Sequence, residues 1–107
     1  MTEIRFNPKQ YKVEIKGHAG YAEEGKDIVC SAVSILFYTL AECLTNAREE
    51  LVDDPIINMD GDGEASIQCN PKLEYEGNVM RTYWTVLNGF QLLADDYEEN
   101  VKIFVEG

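Results

Sequence analysis

Residues 17–34, GHAGYAEEGKDIVCSAVS, bring the single histidine of the chain within twelve positions of a cysteine. These two residue types do nucleophilic chemistry as a pair: a thiolate attacks an electrophilic carbon, and an imidazole takes up and returns the proton. Gly17-His18 reads as a strand end, Gly20 and Gly25 as the pivots of a loop, and Asp27 as the N-cap of a helix. Cys30 then falls at the third helical position, where unsatisfied backbone N–H groups and the positive end of the helix dipole favour an anion. A thiolate is such an anion. The loop is long enough to fold back and carry His18 to the sulfur.

Each of these residues also has a plainer reading. Free cysteine is among the most buried residue types, and a lone histidine is more often structural than catalytic. Asp27 is either a cap, worth about 1 kcal/mol if replaced by alanine, or the group that orients His18 as third member of a triad. The cap is the preferred reading, because a capping carboxylate already uses an oxygen on the backbone, and its charge near Cys30 would oppose thiolate formation. Ser34, one turn after Cys30 on the same face, either supports the thiol and the loop or bonds back to a carbonyl of its own helix. Cys43, on an apolar helix, and Cys69, on the inward side of a strand, are both expected to be inert core thiols. A zinc site from His18, Asp27 and Cys30 lacks supporting ligand spacing. No metal or cofactor is expected.

Positioning these groups requires a scaffold that the periodicities outline. Ile4 and Phe6 alternate with charged neighbours in TEIRFN, as do Tyr11, Val13 and Ile15 in YKVEIK, and the turn residues 7–10 lie between. This predicts a hairpin ending at Gly17. From Ile28 the steps become three and four, through Val29, Val33, Leu36, Leu40, Leu44, Ala47 and Leu51, predicting a helix stopped by Asp53-Asp54-Pro55. Its first half is apolar beyond one stripe, which calls for cover on a second side, from another helix or another subunit. Residues 55–60 and 64–70 form a second hairpin around Gly61-Asp62-Gly63. Asn78 is expected to cap a second helix carrying Val79, Tyr83, Val86, Phe90, Leu93 and Tyr97, which Asn100 interrupts. Residues 101–105, VKIFV, read as a last strand. The fold class is α+β: ββαββαβ, a mainly antiparallel sheet packed with two helices.

With 107 residues the chain has the length of one domain, residues 1–107. No stretch reads as the roughly 20 apolar residues of a membrane span, and the first ten residues do not read as a signal peptide. The expectation is a cytoplasmic protein without a membrane partner. The three cysteines, with no CxxC pair, argue for reduced thiols rather than a disulfide framework. The net charge of −11 disfavours direct nucleic-acid binding through phosphates and favours a basic protein partner, although acidic surfaces also serve solubility alone.

The pattern GHA, then a glycine, then DIVC followed by Ser34, resembles the ribosomal-processing cysteine protease family Prp. The resemblance is close over residues 17–34 and looser beyond them. It implies that Cys30 and His18 are the catalytic pair, with Gly17, Gly20, Gly25, Asp27 and Ser34 supporting them and with a mobile loop that orders on substrate. It further implies a homodimer that removes the N-terminal extension of large-subunit ribosomal protein twenty-seven during ribosome assembly. A basic substrate of that kind suits the acidic chain. Ser31 stands where the family more often has alanine, and residues 20–24 differ from the family, which leaves substrate preference open. A phage-borne relative processing capsid or scaffold proteins is a variant of the same chemistry. A non-catalytic dimeric module that docks on a ribosomal protein is the alternative from another class.

Overall fold

A computed structural model describes residues 1–23 and 25–107; the expected departure at Glu24 falls outside them. The elements are β1 (Thr2–Asn7), β2 (Lys12–Lys16), α1 (Ile28–Asn46), β3 (Ile56–Met59), β4 (Glu64–Gln68), α2 (Glu76–Asp96) and β5 (Val101–Val105). They form one five-stranded sheet in the order β3-β4-β2-β1-β5. Three pairings are antiparallel, and β5, returning after α2, lies parallel to β1. A parallel pair needs a long crossover connection, which α2 supplies. The α+β class and the ββαββαβ order are those the periodicities predict.

Period-two alternation puts Ile4, Phe6, Val13, Ile15 and Ile67 on the covered face of the sheet. Val29, Val33, Phe37, Leu40 and Leu44 of α1 and Val79, Tyr83, Val86, Leu87 and Phe90 of α2 close over them. Phe6 stacks on Tyr83 with ring centroids 5.5 Å apart, joining sheet to helix at the centre of the core.

Several local expectations are corrected. Tyr11 is not the first residue of β2: it follows a short 3-10 turn, Pro8–Gln10, in the left-handed region at φ 51°. Its carbonyl accepts from the buried Tyr83 hydroxyl at 2.5 Å, a tertiary tie that overrides strand propensity. Asn78 does not cap α2, which starts at Glu76 directly from the turn Leu73–Tyr75 with no side-chain cap. The first helix ends at Asn46, and Arg48–Glu50 form a separate turn, so Leu51 is buried outside the helix, where it bridges to Pro71.

Cys43 is exposed, not core. The buried stripe of α1 runs through Leu40 and Leu44, and at about 100° per residue position 43 turns off one flank of it while position 30 lies on the other. Cys69 is buried as expected. By length and composition α1 also reaches what a membrane span requires, with 19 residues and a mean hydropathy of 1.8, contrary to the expectation that no stretch does. In the fold its stripe packs into the core, while Ile28, Ile35 and Tyr38 on the other side remain exposed.

Candidate active site

The cysteine environment is built by local chemistry. Asp27 takes extended backbone angles at the N-cap of α1, and its Oδ1 accepts the N–H of Cys30 at 2.9 Å. Its Oδ2 accepts the N–H groups of Tyr21 at 3.0 Å and Ala22 at 3.3 Å, so one carboxylate joins the helix start to the preceding loop. Burial alone would push this carboxyl up. The N–H groups of Cys30, Ala22, Tyr21 and Val29 outweigh burial and hold it below the ordinary carboxylate range. Both oxygens therefore serve backbone donors, and neither bonds His18, so the geometry is that of the cap and not of a triad member. Cys30 is half-buried at the third helical position, as the spacing predicts. Its N–H is bonded to Asp27, so any oxyanion stabilisation at this helix start comes from the summed dipole rather than from that group alone.

The histidine environment is built by the sheet. Lys16 ends β2 opposite Glu64 of β4, and the next pair continues the ladder, with Gly17 N donating to Gly63 O at 2.8 Å. Gly17 adopts φ +90°, and a Cβ there would lie 2.3 Å from the Met1 carbonyl oxygen, so only glycine fits. His18 follows with an exposed side chain whose ring lies against Gly63: a Cβ on that glycine would be 3.0 Å from Nε2 and 3.1 Å from Cε1. The hairpin reading found Gly63 as a turn residue but missed its role as the surface under the imidazole. Its tie to Gly17 is the signal, and that tie needs the strand register.

Cys30, His18 and Ser34 together border two adjoining depressions. One, of about 240 Å³, is mostly apolar, with Ile15, Val33, Phe37, Met59 and Ala65 as walls and Glu64 at its rim. The other, of about 460 Å³, lies under the loop between Gly20, Ala22, Gly25 and Tyr38. Gly20 and Gly25 hold positive φ, at +69° and +87°, with open space where a side chain would begin. Ser34 is exposed, and among the described residues its hydroxyl makes no hydrogen bond; it is Ser31 that bonds back, to Asp27 O at 3.1 Å. The other two cysteines stand apart. Cys43 faces outward, and burial pushes the Cys69 thiol up, with the Tyr83 hydroxyl beside it at 3.5 Å opposing that shift and Asp53 adding to it.

A thiol at a helix start and an imidazole at a strand end, bordering the same depressions over an α+β sheet, are the groups a small thiol hydrolase would need. The chain belongs to the family described as cysteine protease Prp, whose family model matches residues 1–102, and it is a cysteine protease. No curated protein matches the sequence. Among solved structures it is similar to the essential ribosomal processing protease Prp from S. aureus in complex with a covalently linked product peptide, at 24% identity and a TM-score of 0.78, covering 99% of this chain and 100% of that one. The same S. aureus protease with a substrate peptide gives 23% identity and a TM-score of 0.73, covering 98% and 97%. SMU.848 from Streptococcus mutans is 27% identical with a TM-score of 0.71, covering 97% and 90%. At under a quarter identity, the S. aureus likenesses bear on the fold.

Proposed function

We propose that this protease is an endopeptidase of ribosome assembly, removing the N-terminal extension of large-subunit ribosomal protein twenty-seven with Cys30 as nucleophile and His18 as proton carrier. The observation that carries this reading is the convergence of the single histidine and the helix-start cysteine on one cleft. Cys30 Sγ attacks the scissile carbonyl carbon while His18 takes the thiol proton. The tetrahedral intermediate collapses, the C–N bond breaks, and His18 delivers its proton to the leaving amine. Water, deprotonated by His18, then hydrolyses the thioester and frees Cys30.

The two depressions on either side of Cys30 suit an extended peptide lying across the sulfur, with an apolar side chain entering the wall of Ile15, Val33 and Phe37. The net charge of −11 suits a basic partner such as a ribosomal protein. The S. aureus relatives, described as ribosomal processing proteases, support a ribosomal substrate in general, and the particular protein comes from the family resemblance. The exposed Ile28, Ile35 and Tyr38 on the outer face of α1 suit a homodimer that covers them. A cytoplasmic setting fits reduced thiols.

The test is incubation of wild-type protein and Cys30→Ala with the extended ribosomal protein, followed by mass spectrometry of its N-terminus. A shortened product with wild type alone supports the reading. An intact N-terminus with both, alongside binding of the ribosomal protein, points to a docking module instead.

A further inference from the structure

The carbonyls on both sides of His18 are held by residues from opposite ends of the chain. Thr2 Oγ1 donates to Gly17 O at 3.2 Å, just before the histidine, and Asn100 Nδ2 donates to Ala19 O at 2.9 Å, just after it. The two holders are joined to one another, Thr2 N donating to Asn100 O at 2.9 Å. Gly17 N on Gly63 O completes a frame around the turn. Thr2 and Ala19 are each 1% exposed and Asn100 is half-buried, while the His18 side chain stands in solvent. A solvent-exposed ring on a glycine-flanked turn would otherwise sample many orientations.

We propose that Asn100 is a positioning residue for the proteolytic reaction: its side-chain amide fixes the backbone of the His18 turn and so keeps the imidazole over Gly63 and on the Cys30 side of the cleft. This role presupposes the Cys30 and His18 pairing set out above. Asn100 borders neither depression and acts only through the turn. Its backbone is not left-handed, since Tyr11 alone among the described non-glycine residues has positive φ, so asparagine is not needed there for its conformation. Its own N–H and C=O bind Tyr97 and Thr2 whatever side chain it carries. What the asparagine adds is a neutral donor for the Ala19 carbonyl. The titratable groups bordering the depressions with His18 are Cys30, Asp27, Glu64 and Tyr38, and replacing Asn100 by alanine changes the charge of none of them.

The experiment is the pH profile of iodoacetamide alkylation of the full chain, resolved by peptide mass spectrometry, with exposed Cys43 as the internal reference thiol. His18→Ala sets the scale by slowing Cys30 at neutral pH. Asn100→Ala is expected to move the Cys30 profile in the same direction, about tenfold slower at pH 7 if the limb is displaced by one pH unit, with Cys43 unchanged. In peptide cleavage kcat falls and KM holds. A folded Asn100→Ala protein with the wild-type Cys30 profile overturns the role of Asn100. If His18→Ala itself leaves that profile unchanged, the failure lies with the catalytic pair. Thr2→Val, which removes the hydroxyl on the other flank without changing shape, covers the case in which Asn100→Ala does not fold: a displaced Cys30 profile supports the frame, and a wild-type profile overturns it.

Discussion

The two halves of the proposed catalytic pair, Cys30 and His18, are held in opposite ways. Cys30 owes its place to three residues of chain: Asp27 caps the helix and bonds the Cys30 N–H, and the rest is helical geometry. His18 owes its place to Met1, Thr2, Gly63 and Asn100, which meet only when the sheet has formed. The cysteine side should therefore keep its local character under many perturbations of the fold, whereas the histidine side should fail with the register of β2 on β4.

Removing either partner is the largest break. Cys30→Ala and His18→Ala should each lower kcat/KM by on the order of 10⁴-fold or more, without additivity in the double variant; product mass spectrometry against time measures this. Next comes Gly63→Ala, which touches the histidine half alone. The new Cβ meets the imidazole at 3.0 Å on a backbone at φ +80°, so the ring must move and the strained residue costs about 1–2 kcal/mol. Cleavage should fall more than stability does, and a variant with full activity would show that His18 does not use that surface.

Asp27→Ala tests the cysteine half. Loss of the cap and of the loop tie is expected to cost about 1–2 kcal/mol in urea unfolding. The sign of its pH dependence follows from its lowered native carboxyl. The stability it contributes is fully present above the ordinary carboxylate range, about pH 4, and is lost as pH falls through the lower native value. Asp27→Asn should flatten this acid limb. The smallest effect is Cys43→Ser, expected within about 0.5 kcal/mol of wild type, because the side chain faces outward. Alkylation should run Cys30, then Cys43, with Cys69 reacting only on unfolding, since burial keeps it a thiol.

Much of the scaffold was legible because burial imposes a period. Ile4, Phe6, Val13 and Ile15 alternate, the α1 stripe steps by three and four, and Gly61-Asp62-Gly63 marks the hairpin, all of which local pattern carries. Cys43 departs from the core placement expected for a thiol on an apolar helix, because which flank of α1 meets the core depends on α2 and the sheet. Tyr11 and Asn78 depart from the periodic pattern because a tertiary hydrogen bond and a run-in turn replace the expected strand start and cap.

By itself the sequence determined the helix-start cysteine, since a cap and its N3 residue are neighbours whose geometry is settled within one turn. It also determined the order of elements. Tertiary structure alone decided what lies beneath and beside His18, because residues 2, 63 and 100 are brought to one turn by strand pairing, and no local pattern encodes which distant backbone groups the assembled sheet will place in contact.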